Sequence, residues 1–235
     1  MKKNACILIR IIFWILFVGL SFCLATSPLQ RDSCAQSDTT KITEWELSSI
    51  LESSPQGITV VGKPEIVYCP YGKAVQFDGQ DDAMILDTNL LVNMHQFTIE
   101  VIMHPDTNGQ REQRFLHFGE VQGERVMIET RLKKNDQWYL DTYMKSGQTA
   151  QRLADSTKLH PLNQWYHVAF VANDGKMETY VNGRKELEGQ IPFSPFTIGQ
   201  TSIGVRLNRV NWYKGVIYKI KITPMKLGPA LFMKQ

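Results

Sequence analysis

The chain of 235 residues is long enough for one sizeable domain with a proper core. At 43% hydrophobic, 10% aromatic and 21% charged, its composition excludes a disordered chain and a multi-span membrane protein. Residues 1–25 hold three basic and no acidic residues, so the remainder carries 23 of each and lacks an overall basic field for nucleic acid.

The N-terminus reads as a separate element. MKKNACILIR supplies Lys2, Lys3 and Arg10, and the apolar run IIFWILFVGLSFCLA follows. A charged start and an apolar run shorter than the roughly 20 residues of a membrane span indicate an export signal over 1–25. Cleavage after Ala25 is the preferred outcome. Lipidation at Cys23, disfavoured by the bulky Phe22, and an uncleaved anchor are the alternatives, and the only membrane attachments expected. The expected location is therefore the periplasm, the cell surface or the medium. Residues 26–40, TSPLQRDSCAQSDTT, read as a polar linker, and 41–235 as the domain. With Cys6 and Cys23 gone, Cys34 and Cys69 have a single intramolecular pairing, and a disulfide between them is expected in an oxidising compartment.

From about Trp45 onward, short apolar or alternating runs are separated by Gly, Pro, Asn and Asp clusters. ITEWELSSILESS offers one short helical turn. VQF and AMIL flank the turn DGQDD, and FTIEVIM alternates, with Phe97, Ile99, Val101 and Met103 on one side. RVMIETRL, WYLDTYM, WYHVAFVA, METYV and VIYKIKI continue the series, with NDG and NG turns between several of them. Many short strands at regular spacing predict an antiparallel sandwich or barrel. In METYV the pattern places Met177, Thr179 and Val181 inward and Tyr180 outward. In VIYKIKI it places Val216, Tyr218, Ile220 and Ile222 on one face.

The order GKAVQFDGQDDAMIL, FTIEVIMHP, WYHVAFVANDGKMETYVNGRKE, TIGQTSIG, YKGVIYKIKITPMKL resembles the laminin G-like jelly rolls of the concanavalin A-like lectin/glucanase superfamily, over roughly 43–228. The resemblance implies an all-β fold: a two-sheet antiparallel β-sandwich, or jelly roll, with one convex and one concave face. One departure stands out. The family's late strand usually reads Gly-x-Ile-Asp-Glu, whereas Gly215 and Ile217 are followed here by Tyr218 and Lys219. Family members often hold a structural calcium ion near that acidic strand and the FDG turn. Asp78, Asp81 and Asp82 could supply several of the six to eight oxygens calcium takes. With the acidic partner lost, a plain Asp-Gly hairpin turn is the preferred reading, and no cofactor is expected.

Enzyme motifs are absent from the sequence. GITVVGKP at 57–64 has the outline of a phosphate loop, but Pro64 stands where a magnesium-binding hydroxyl is needed. There is no HExxH, no GxSxG and no zinc spacing. Glucanases of the superfamily need two carboxylates on one strand face, and Glu129 in IETRL and Asp141 in YLDTY read as isolated.

Three Trp-Tyr pairs, at Trp138, Trp165 and Trp212, draw attention instead. Trp165 opens the W-x-HVA strand and is expected in the core, while Trp138 reads equally as core or rim. Trp212 and Tyr213 follow Arg206, Arg209 and Asn211 in a loop-like stretch. An aromatic face beside guanidinium and amide donors is what a sugar ring needs, and these five residues form the predicted ligand site. They lie after Glu188, where no acidic residue occurs and seven basic ones do. The plain reading of that imbalance is a basic strand beside acidic ones, and the functional reading is a local site for an anionic ligand. The resulting expectation is an exported non-catalytic module binding a glycan or other extracellular polymer. A glycan-cleaving enzyme or an adhesion module with a protein partner are the alternatives.

Overall fold

The computed structural model describes residues 41–234. The predicted export signal, the linker, Cys23 and Cys34 lie outside the described residues. In chain order the elements are β1 (Thr43–Glu46), α1 (Leu47–Ser53), β2 (Ile58–Val61), β3 (Glu65–Cys69), β4 (Gly72–Asp78), β5 (Ala83–Leu86), β6 (Phe97–Pro105), β7 (Glu112–Gly119) and β8 (Arg125–Lys133). They continue with β9 (Gln137–Ser146), β10 (Thr149–Ala154), β11 (His160–Pro161), β12 (Tyr166–Asn173), β13 (Lys176–Val181), β14 (Arg184–Gln190), β15 (Gln200–Ile203) and β16 (Lys214–Thr223).

Two antiparallel sheets stack face to face, as the sequence pattern and the resemblance both led us to expect. The first has the order β14-β13-β12-β6-β16-β4-β3, with β1 also paired to β16. The second has the order β10-β9-β8-β7-β15-β5-β2, with β11 on β9. Alternation sends every second side chain between the sheets. Phe97, Ile99, Val101 and Met103 of β6 therefore meet Val126 and Ile128 of β8 and Trp138 and Leu140 of β9 in one core. Trp138 is fully buried, which settles its ambiguity.

The outer face of the first sheet is also covered in part. Leu227 and Phe232, from the segment after β16, pack on Ala169, Val171 and Tyr180. Thr98 Oγ1 donates to the Met225 carbonyl at 2.8 Å and accepts from the Leu227 N–H at 2.9 Å. Glu100 accepts from the Met233 N–H and lies 3.0 Å from His167 Nε2. Tyr180 thus points away from the main core, as its position predicts, yet is buried by this strap.

One strand departs from simple alternation. A bulge between Ile217 and Lys219 inserts an extra residue into β16, so Ile217, Ile220 and Ile222 all reach the core. Val216 and Tyr218 were expected to share a face with Ile220, and the bulge turns them outward. Part of the basic C-terminal segment has the plain explanation. Lys219 pairs with Glu44 at 2.9 Å and Glu46 at 3.3 Å on β1, and Lys226 approaches Glu178 at 4.0 Å.

Candidate functional site

The predicted loop at 206–213 is built differently from a sugar platform. Tyr213 is fully buried, with its ring 6.3 Å from Phe77 and 5.7 Å from Phe115, so it presents nothing to a ligand. This is a correction, and its cause is that the β15–β16 crossover must fill the end of the core. Asn211 is tied to β7: its Nδ2 donates to the Glu112 carbonyl at 3.3 Å, and its carbonyl accepts from the Arg114 N–H at 2.9 Å. Arg206 Nη2 donates to the Val121 carbonyl at 2.9 Å. Arg209 is exposed and Trp212 half-buried.

Trp165 is the second correction. It is half-buried on the outer face of the first sheet, and Tyr166 takes the core position behind it. The loop before β12 fixes it there: the Asn163 N–H donates to the Pro105 carbonyl at 2.9 Å, and Asn163 Oδ1 accepts from the Thr107 N–H at 3.2 Å. Three elements bring rings together at this point. Tyr71, in the β3–β4 turn, lies edge-on to Trp165 at 5.3 Å and 5.5 Å from Tyr218 on the β16 bulge. His104 of β6 lies 5.4 Å from Trp165.

A hydrogen-bonding group borders the rings. His104 Nδ1 is 2.8 Å from Asp106 Oδ1, and Gln76 Nε2 donates to Asp106 Oδ2 at 2.9 Å. The bond to Asp106 raises the His104 pKa above its ordinary value, against the pull of burial. Burial pushes the Asp106 carboxyl upward, but the bonds from His104 and Gln76 outweigh it and hold the group below the usual carboxylate range. Beside Tyr71 and Tyr218 opens a cavity of about 370 Å³, also lined by Ile102, Lys219, Lys221 and Met233. Half-exposed aromatic faces next to fixed polar groups suit a ring with one C–H face and hydroxyl edges. A larger depression of about 850 Å³, at Asn108–Arg111 and Lys133–Gln137, has no aromatic lining.

On the outer face of the second sheet, Glu129 and Asp141 are direct cross-strand partners on β8 and β9. They read as isolated in the sequence, and the hairpin register makes them neighbours. Both are 1% exposed. Arg131 binds Glu129 at 2.9 Å and Asp141 at 2.6 Å, Arg114 binds Glu129 at 3.0 Å, and Arg152 binds Asp141 at 2.5 Å. Carboxylates so enclosed by guanidinium groups have no open side from which to attack or protonate a glycosidic bond.

Asp78, Asp81 and Asp82 each bring an oxygen within 4.8 Å of the others. Asp78 Oδ1 accepts from the N–H groups of Gln80, Asp81 and Asp82 at 2.8, 3.1 and 3.4 Å. Asp82 accepts from Lys63 N–H at 2.6 Å and Asp78 N–H at 3.0 Å. Two of the three carboxylates are thus committed to tying the turn to the strand edge. Asp82→Ala is expected to cost about 2–3 kcal/mol, since it removes a charged acceptor from two backbone donors. Chemical denaturation reads this loss, and thermal unfolding with added calcium should leave the wild-type midpoint unmoved. A calcium-dependent rise would instead assign an ion to these aspartates.

With this geometry in place, relatives can be compared. The laminin G family model, described as the concanavalin A-like lectin/glucanases superfamily, matches residues 78–230, and the chain belongs to that superfamily. A search of the curated proteins finds no significant match. Among solved structures the chain is similar to domain 4 of AbnA, a GH43 extracellular arabinanase from Geobacillus stearothermophilus, in complex with arabinotriose. That match has 19% identity and a TM-score of 0.54, covering 74% of this chain and 84% of that one. A native heptameric SAP-like pentraxin from Limulus polyphemus matches at 16% identity and TM-score 0.54, covering 66% and 77%. The botulinum neurotoxin serotype D binding domain matches at 14% identity and TM-score 0.55, covering 74% of this chain and 44% of that one. At these identities the likeness establishes the jelly-roll fold.

Proposed function

We propose that this protein is an exported, non-catalytic module that binds a glycan on the outer face of the first sheet. The observation that carries the reading is the cluster of Tyr71, Trp165 and Tyr218 beside the His104–Asp106–Gln76 group. A sugar ring stacks its C–H face on such rings and gives its hydroxyls to the polar rim. Support comes from the arabinotriose complex of a domain with the same fold, and from the extracellular setting of that arabinanase. The charged, then apolar residues 1–25 support export. The non-catalytic part rests on the enclosure of Glu129 and Asp141 by arginines.

A glycan panel with turnover assays on the same polysaccharides tests both parts. Binding without turnover is expected. Trp165→Ala should weaken binding at least about tenfold, in line with truncation of an aromatic anchor, whereas Trp212→Ala should leave it near wild type. Loss of binding on Trp212→Ala alone would return the site to the loop at 206–213. Silence across the panel would favour a protein partner, and measurable cleavage would overturn the non-catalytic reading.

A further inference from the structure

The outer face of the second sheet carries more positive charge than its acids absorb, and the excess is localised. Arg114, Arg131 and Arg152 are matched by Glu112, Glu129 and Asp141. Among the described residues, neither Arg125 nor Arg206 has a carboxylate partner. These two come from separate elements, the start of β8 and the loop after β15, and converge on the consecutive carbonyls of Val121, Gln122 and Gly123 between β7 and β8.

We infer that Arg125 and Arg206 together form a site for an oxyanion, such as a sulfate or carboxylate group. Three observations carry this. First, the Nε–H groups of Arg125 and Arg206 are buried with no acceptor, and a buried donor left unpaired costs free energy that an anionic oxygen would recover. Second, the guanidinium groups are held rather than free. Arg125 donates Nη1 to the carbonyls of Gln122 at 3.1 Å and Gly123 at 2.7 Å, with its guanidinium 4.8 Å from the Tyr143 ring centroid. Arg206 is anchored on Val121, and the Leu207 N–H donates to His117 Nδ1 at 3.3 Å, which fixes the loop on the sheet. Third, the like charges are close enough to act on one another. Burial first, then Arg114 and Arg125, lower the Arg206 pKa. The same three arginines add to burial in keeping His117 neutral, with a pKa of about 4. Preorganised, mutually repelling guanidinium groups around a neutral imidazole are relieved by a bound anion. The site lies on the opposite sheet from the aromatic cluster and does not depend on it.

The test titrates the protein with sodium sulfate against sodium chloride at matched ionic strength, which removes plain screening. Saturable binding of sulfate is expected. Arg206→Gln and Arg125→Gln should each weaken it about tenfold or more, the loss typical of a charge-assisted hydrogen bond. Arg184→Gln, an exposed charge on the edge strand β14, should change nothing. Sulfate that binds no better than chloride, or equal losses in all three variants, would overturn the site. A readout on the wild-type chain covers variants that fail to fold. Bound sulfate should raise the His117 pKa seen in its ring resonances, and an unmoved value under saturating sulfate would also overturn it. A sulfated polysaccharide compared with its desulfated form then distinguishes a polymer-borne group from a free ion. Stronger binding of the sulfated form assigns the polymer, and equal binding assigns the free ion.

Discussion

Tyr213→Ala is expected to lower stability by about 3–5 kcal/mol, the range for emptying a buried aromatic site, while Trp212→Ala costs less than about 1 kcal/mol, as a half-buried side chain at a loop corner should. The two residues are adjacent, and their difference is one of direction. Tyr213 closes the core between Phe77 on the first sheet and Phe115 on the second, and its N–H donates to the Gly204 carbonyl at 2.8 Å. Its hydroxyl is buried without an acceptor among the described residues, and its pKa is pushed well above the ordinary value by burial. Tyr213→Phe should therefore lose nothing, and gains if the removed hydroxyl was paying its full desolvation penalty. Urea denaturation of the three variants reads the order directly. A Trp212→Ala loss as large as that of Tyr213→Ala would mean that the loop, rather than the core, carries the energy.

How far the fold could be read from sequence depended on whether each sheet face met water. FTIEVIM alternates because only one of its sides joins the main core, and Phe97, Ile99, Val101 and Met103 fall where the pattern places them. WYHVAFVA is apolar on both sides because the strap after β16 covers Ala169 and Val171 from outside, so parity could not tell which side of the strand Trp165 takes. Tyr218 was misplaced for another reason: a bulge adds one residue to β16, and no periodicity survives an insertion. The aromatic cluster depends on both of these features, which explains why the sequence pointed instead to the loop at 206–213.

The Glu129–Asp141 pair did leave a signal. Lys133 pairs with Gln137, so the turn is centred on Asn135, and residues equally far on either side face one another. Asn135 and Asp136 both have positive φ, at 65° and 51°, as a tight turn between these strands requires. Reading the KKND turn as a register mark, rather than only as a strand boundary, would have brought the two acids together. Lys219 and Lys221 of β16 were legible in the plain sense, since the acidic strand TEWE supplies their partners. Arg206 was not absorbed in that way, and it stands at the oxyanion site inferred above.

Glu129→Gln should change strongly how stability depends on pH. Burial raises the Glu129 carboxyl from 4.5 to about 7, a push that Asp141 reinforces and the neighbouring arginines only partly offset. The folded chain then holds a proton that the unfolded chain releases, so this group's contribution is complete below pH 4.5 and is lost as pH rises through about 7. His117 behaves oppositely: burial first, with the arginines, takes it from 6.5 to about 4, so its contribution is present above pH 6.5 and lost as pH falls through about 4. Between pH 4.5 and 6.5 the two slopes oppose each other at about 1.4 kcal/mol per pH unit, and they nearly cancel in the wild type. Glutamine keeps the shape and removes one slope. The stability difference between variant and wild type should therefore grow by roughly 3 kcal/mol from pH 4.5 to 7, favouring the variant at the upper end. Denaturation curves for both proteins across that range supply the comparison, and other titrating groups drop out of the difference. A difference that stays constant with pH would show that Arg114 and Arg131 keep Glu129 ionised throughout, and that its burial is fully offset by its partners.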